Sequence, residues 1–295
     1  MSMDWSVHDF LVGMPNMVPD QLSEVELLKL LADMQWQGIS RILQAPPTDI
    51  SNDQGERLYG SVINFDICLA TKTMADFREG AQVHVRHACR FYSRRFVEGF
   101  FCFDTASITQ PLDEINARVD MERLDIPSVY MTMAFVTREE SNLKLRTFAP
   151  VGAEYGKEFT TEVVPPGIRD HTAVERTGDI GLPGIELAVP MADKGRAGIV
   201  YDVVPESDLN GAGLLYFARY VAIANYGERL FLRRCSQVEL SSRLIRLLAT
   251  RRRRVFYFAN ATEEDSIAIS VKAFVSRADE GSSESTTSIA PLKFY

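Results

Sequence analysis

The chain has 295 residues, 46% of them hydrophobic and 24% charged, which is enough for one large domain or two modest ones. No apolar run approaches the ~20 residues a membrane helix needs, and a formal net charge of −8 argues against wholesale nucleic-acid binding. The opening segment MSMDWSVHDF has neither a basic region nor an apolar core, so no secretory leader is expected and a soluble, cytoplasmic protein is the default.

The first strong element is a helix. Ser23 and Glu26 make an S-x-x-E capping box at the start of LSEVELLKLLADMQWQGISRIL. Leu27, Leu30, Leu31, Met34 and Ile39 recur at helical spacing, and Val25 and Leu28 widen the apolar face, so the helix is expected to be largely enclosed. The loop APPTDISNDQG follows, then strand-like segments at 58–69, 82–92, 94–103 and 128–138. The second and third of these are alternating runs broken near Tyr92-Ser93, which predicts a hairpin. Residues 151–185 gather proline and glycine and read as an interdomain connection packed on the surface.

The pattern then repeats. The strand AGIVYDVV leads into the loop PESDLNGAG and a helix from about 214 to 234, in which Ala218, Ala222 and Ala224 leave room for a sheet to approach closely. A basic loop and strands at 254–261, 266–276 and 286–294 finish the chain. Arg57-Leu58-Tyr59 and Arg254-Val255-Phe256 both open the first strand after a loop, which suggests a weak internal duplication. One enclosed helix followed by antiparallel strands, occurring twice, is an α+β pattern with an N-terminal domain at 1–150 and a C-terminal domain at 186–295. A sheet around a long central helix, repeated, is the double hot-dog arrangement.

Cys68, Cys89, Cys102 and Cys235 form no C-x-x-C pair, and three lie in apolar strand-like runs, so they read as buried thiols rather than metal ligands or disulfides. His84 and His87 are three apart in a strand and fall on opposite faces, which argues against a shared metal.

VGMPNMVPDQLSEVELLKLLADMQW followed by GERLYGSVINF resembles the bifunctional acyltransferase/decarboxylase family of leinamycin-type polyketide biosynthesis, which works beside acyltransferase-less synthases. The motifs that carry it are Gly13-Met14-Pro15, Leu22-Ser23-Glu24 and Arg57-Leu58-Tyr59. VPESDLNGAGLLYFARYVAIANYGERL is similar to the loop-to-helix segment of hot-dog thioesterase-like domains. The resemblance implies a double hot-dog fold. It also implies an activity in which a methylmalonyl or malonyl group is taken from coenzyme A, decarboxylated, and delivered to an acyl carrier protein bearing a phosphopantetheine arm. The family's catalytic tyrosine falls on Tyr59. Gly60-Ser61-Val62 departs from the family pattern and bears on acyl specificity. Coenzyme A would be substrate, and no cofactor or metal is implied. One chain could supply both hot dogs, so a monomer or a homodimer fits.

Each candidate also has a bland reading. Tyr59 by itself is a packed strand aromatic. Arg57 is two residues away and shares its face in a straight strand, where a cation could activate the phenol. Ser61 would line the same pocket or be a plain strand serine. Asn64 could donate to a thioester oxygen or pair with backbone. Asp208 and Asn210 precede the second helix, either as caps or as substrate contacts. Tyr220 and Asn225 on that helix satisfy core contacts. Arg251, Arg252, Arg253 and Arg254 are a solvated charge run or contacts to coenzyme or carrier phosphate. Neither central helix carries a histidine, which disfavours dehydration, and no G-x-S-x-G elbow appears. A thioesterase using Asp208 on water stays open, as does a non-catalytic acyl-binding scaffold.

Overall fold

A computed structural model of the chain describes residues 3, 5–110, 112, 125–138, 146–178, 188–190, 198–234, 249–276 and 287–294. Cys235, most of the basic loop after it and the end of the connection at 179–185 lie outside these. Contacts divide the chain into two units, Met1–Thr177 with Ala249–Asn260, and Gly178–Leu248 with Ala261–Tyr295.

In unit 1 the predicted helix is α1, Glu24–Leu43. Ser23 Oγ accepts the Glu26 N–H, one half of the capping box, while the Ser23 N–H bonds the Asn16 carbonyl and the Glu26 carboxylate pairs with Lys29; Gln44 ends the helix in the left-handed region at φ 54°. Leu27, Leu28, Leu31 and Ile39 are fully buried, each contributing about 1.5–3 kcal/mol relative to exposure. The strands are β1 (Ser6–Leu11), a small ribbon of β2 (Met17–Val18) and β3 (Gln21–Leu22), β4 (Tyr59–Cys68), β5 (Gln82–Tyr92), β6 (Phe96–Asp104), β7 (Ser128–Val136) and β8 (Thr160–Thr161). The main sheet is antiparallel in the order β1-β5-β6-β7-β4, with β8 parallel to β5. The predicted hairpin is β5–β6. Its turn puts Ser93 and Arg94 in the left-handed region at φ 51° and 57°, a conformation that costs a non-glycine residue roughly 1–2 kcal/mol.

Two segments differ from expectation. Ser6–Leu11, read only for a leader, forms the edge strand β1 with alternating burial. The stretch read as a connection contains α2, Pro166–Thr177, which packs on β4 and β7. A Cβ on Gly167 would stand 2.2 Å from Thr132 Oγ1 and 2.3 Å from Asn64 Oδ1, so glycine is what lets α2 approach. Helix α1 covers the opposite face, where a Cβ on Gly60 would meet Trp36 and Met133 and one on Gly38 would meet His87. Unit 1 is thus three layers, α1, sheet and α2.

Unit 2 is a smaller helix-on-sheet body. It contains β9 (Ala188–Pro190), β10 (Ile199–Asp202), the one-turn α3 (Pro205–Asp208) and α4 (Phe217–Arg234). The strand β11 (Arg252–Phe256) belongs to unit 1, where it pairs antiparallel with β4, although sequence order groups it with the C-terminal half. Strands β12 (Ser266–Ser276) and β13 (Thr287–Phe294) complete the unit 2 sheet, in the order β10-β12-β13 with β9 also on β12. The close approach of α4 is made at Gly227, over Ile269, with Ala218 and Ala224 buried beside it. Among the described residues no helix is long and apolar enough to cross a membrane.

Candidate functional site

Strand β4 carries most of the residues singled out in sequence, and its register decides which way they face. Tyr59 lies opposite Val136 of β7, Ser61 opposite Ala134, Asn64 opposite Thr132 and Asp66 opposite Tyr130, with a shift of register between Val62 and Asn64. The partner strand advances by two at each step, so the extra residue, Ile63, is a bulge. It keeps Tyr59, Ser61, Asn64 and Asp66 in one row. Gly60 faces Trp36 of α1, so the row faces away from α1.

The ends of the row differ. Tyr59 and Ser61 are half-buried. The Arg57 guanidinium sits over the Tyr59 ring, 5.1 Å from its centroid, an arrangement that orients the phenol through the ring face. Arg254 lies over Phe256 in the same way at 5.5 Å, so the repeated Arg-apolar-aromatic triplet makes the same contact twice. Asn64 is buried under α2, and its Oδ1 has no hydrogen-bond partner among the described residues. Four steps of the ladder, about 14 Å, separate it from Tyr59, so the two are not brought together. Asp66 is buried and ion-paired to Arg252 and to Arg254, each at 3.1 Å.

Beside this row lies a polar cluster that sequence reading missed. Glu98 of β6 is completely buried. Its Oε2 accepts from Arg90 Nε and Nη2 at 2.9 and 2.7 Å, and its Oε1 accepts from Tyr130 Oη at 2.8 Å. Tyr130 Oη in turn accepts from Thr132 Oγ1 and from the Gly167 N–H of α2. Burial raises the Glu98 carboxyl above its usual range, against the lowering pull of Arg90 and Tyr130. Burial and the Glu98 charge both push the Tyr130 phenol up. The signal in the sequence was a lone carboxylate inside the otherwise apolar run FVEGFFCF.

In unit 2, Asp208 is fully buried at the end of α3. Its Oδ2 accepts from the Val204 N–H and from Tyr201 Oη, both at 2.8 Å, and its Oδ1 from Ser207 Oγ at 3.1 Å and Arg219 Nε at 2.8 Å. Burial raises this carboxyl, but the donors outweigh it and hold it below the usual range. Asn210 Oδ1 accepts from the Ala212 and Leu214 N–H groups, which closes the loop. Tyr220 and Ala224 of α4 are buried.

The basic run is largely engaged within unit 1. Arg252 pairs with Asp66, Arg253 with Glu24 at 2.7 Å, and Arg254 with Asp66 and with Asp170 at 2.5 Å. Arg251 is exposed and donates to the Ala70 carbonyl. Arg252 lies opposite Cys68, at the far end of β4 from Tyr59, about 27 Å along the ladder.

The histidines are separate. His84 pairs with Asp9 at 2.6 Å. His87, on the other face, is buried and bonded to Gln35 Oε1 at 2.9 Å. Burial first, then His8 and Arg41, pull it down to about 3, so it is neutral and donates to Gln35 through Nε2. Cys68, Cys89 and Cys102 are free thiols, and burial pushes Cys102 up to about 12. No group of three or more metal-ligating side chains occurs among the described residues.

No protein-family model matches the chain and no curated protein matches it in sequence. Solved structures do match. An acyl-ACP thioesterase from Bacteroides thetaiotaomicron is 13% identical with a TM-score of 0.52, and 98% of each chain is covered. The 12:0-ACP thioesterase from Umbellularia californica is 10% identical with a TM-score of 0.51, covering 99% of this chain and 98% of that one. At such identity the likeness is one of fold: the chain has the α+β hot-dog fold of these thioesterases over its whole length.

Proposed function

We propose that the protein acts on acyl thioesters, taking a methylmalonyl or malonyl group from coenzyme A, decarboxylating it and loading the short acyl product on an acyl carrier protein, as in polyketide biosynthesis. In the decarboxylation the bond from the alpha carbon to the carboxylate breaks, carbon dioxide leaves, and the electron pair moves into a thioester enolate. That step needs hydrogen-bond donors on the enolate oxygen and a proton for the alpha carbon, not a strong base. Transfer then needs the carrier thiolate to add to the carbonyl and the coenzyme thiolate to leave. Tyr59, held by Arg57 at the accessible end of its row, supplies the donor in this reading.

The observation that supports it over hydrolysis is the state of the carboxylates. A hydrolase would use one to activate water. Asp66, Glu98 and Asp208 are each buried and each committed to a guanidinium; Asp208 is held below its usual range, which makes it a weak base, and Glu98, whose carboxyl is raised, is sealed from solvent and so from the water it would have to activate. Hydrolysis to the free acid is the second reading, favoured by the solved thioesterases that share the fold.

Mass spectrometry separates the two. The protein is mixed with methylmalonyl- or malonyl-coenzyme A and a phosphopantetheinylated carrier protein. Propionyl- or acetyl-carrier is the expected product. Free acid without loaded carrier selects the second reading, and no turnover of either kind overturns both. Tyr59→Phe keeps the ring and removes the hydroxyl. It is expected to lower the rate by about a hundredfold, and an unchanged rate removes Tyr59 from the reaction.

A further inference from the structure

The end of the unit 1 sheet that holds Tyr59 is ringed with arginine. The ladder puts the β5–β6 turn, the start of β4 and the end of β7 together there: Tyr92 pairs with Phe96, the Phe135 N–H bonds the Arg95 carbonyl, and Tyr59 pairs with Val136. Past the end of β7, Thr147 bridges to Val136 and the Thr137 N–H bonds the Arg146 carbonyl. Arg57, Arg94, Arg95, Arg138 and Arg146 therefore share this end, and all five are exposed. Arg94, Arg95 and Arg138 have no ion-pair partner among the described residues. Of the carboxylates at this end, Glu56 accepts from the Asn52 amide, and the exposed Glu162 follows Thr161, which pairs with Tyr92, so arginine outnumbers acid there without excluding it.

We propose that this arginine rim is the docking surface for the acidic face of an acyl carrier protein, a proposal that rests on the carrier-loading reading above. The basic run at 251–254, the obvious choice from sequence, is remote from Tyr59 and three of its members are paired internally. The rim is too wide for one phosphate. Its arginines come from strands two places apart in the sheet, roughly 10 Å, which matches the ~10–12 Å breadth of a helix with its side chains. The chain as a whole carries −8, so a local positive rim steers an acidic partner to this end of the molecule.

The test is the double variant Arg94→Gly with Arg95→Glu. Glycine accepts the left-handed turn position, so the hairpin is retained. Binding of a phosphopantetheinylated acyl carrier protein and of coenzyme A is measured separately by calorimetry at low and high salt. The parent is expected to bind the carrier with an affinity that falls as salt rises. The double variant is expected to lose about tenfold in carrier affinity while coenzyme A binding and Tm hold. Arg78→Glu, exposed before β5 at the other end of the sheet, is expected to change nothing. An unaltered carrier affinity in the double variant overturns the proposal, as does a parallel loss for coenzyme A, which would make the rim a coenzyme site. A parent that binds the carrier through the rim but never loads it supports docking and rejects the loading reaction. Loading at an unaltered carrier KM in the double variant rejects docking alone.

Discussion

Glu98 in unit 1 and Asp208 in unit 2 are both fully buried carboxylates, each held by one arginine and one tyrosine, yet their acidities move in opposite directions. Neither is accessible to solvent, but Glu98 lies deeper in protein than Asp208 and loses more hydration. Glu98 receives only Arg90 and Tyr130, and burial wins. Asp208 receives Arg219 and Tyr201 together with the Val204 N–H and Ser207, and the donors win. What separates them is the depth of burial together with the number of hydrogen bonds aimed at the charged form, not the presence of a counter-ion.

The comparison breaks most sharply at the arginines. Arg90→Met leaves Glu98 buried with one donor, and a loss of about 3–5 kcal/mol is expected in urea denaturation. Arg219→Met is expected to cost about half as much, because Asp208 keeps three donors. Equal losses would show that donor number does not set the balance. The tyrosines give a smaller contrast. Tyr130→Phe removes the bond to Glu98 and orphans the Gly167 N–H of α2, so about 1–3 kcal/mol is expected. Amide exchange should quicken in α2 first. Tyr201→Phe removes one of several donors at a half-buried site, and about 0.5–1 kcal/mol is expected.

The smallest effect is one of slope. Asp208, with its lowered carboxyl, contributes stability that is present above about pH 4 and lost as pH falls through its folded value. Glu98, with its raised carboxyl, contributes stability that is fully present below about pH 4.3 and lost as pH rises through its folded value. The stability difference between the parent and Asp208→Asn should therefore grow with pH across the acid range, and that between the parent and Glu98→Gln should shrink. Slopes of the same sign would refute the opposition.

Sequence was most informative where one local rule sufficed. The Ser23–Glu26 cap and the apolar spacing of α1 located that helix, and the alternation broken at Tyr92-Ser93 located the β5–β6 hairpin. It was less informative where the answer depends on a distant partner. Arg252–Phe256 reads as the next strand of the C-terminal half, and only the ladder with β4 reveals that it extends the unit 1 sheet. The helix α2 is polar on average and opens on the second of two prolines, so it read as a connection, and its packing over Asn64 and Thr132 depends on strands distant in sequence. The Glu98 cluster was hidden for the same reason. Polar residues on one face of a sheet normally mean solvent, and only the covering segment buries them. At the candidate site the row from Tyr59 to Ser61 was legible from period-two spacing, whereas Asn64 joined it only through an irregularity in the strand.

That irregularity carries a consequence for the chemistry. Strand phase is binary: shifting a segment by a single position swaps inside for outside. With Ile63 taken into the ladder opposite Met133 instead of bulging out, and the distal half of β4 anchored by its pairing to β7 and β11, the segment before it would turn over. The bulky phenol would then be driven against Trp36, and Gly60 would present a bare backbone where a reactive hydroxyl is needed. One aliphatic residue, with no chemistry of its own, thereby decides whether this strand offers an alcohol or nothing at all.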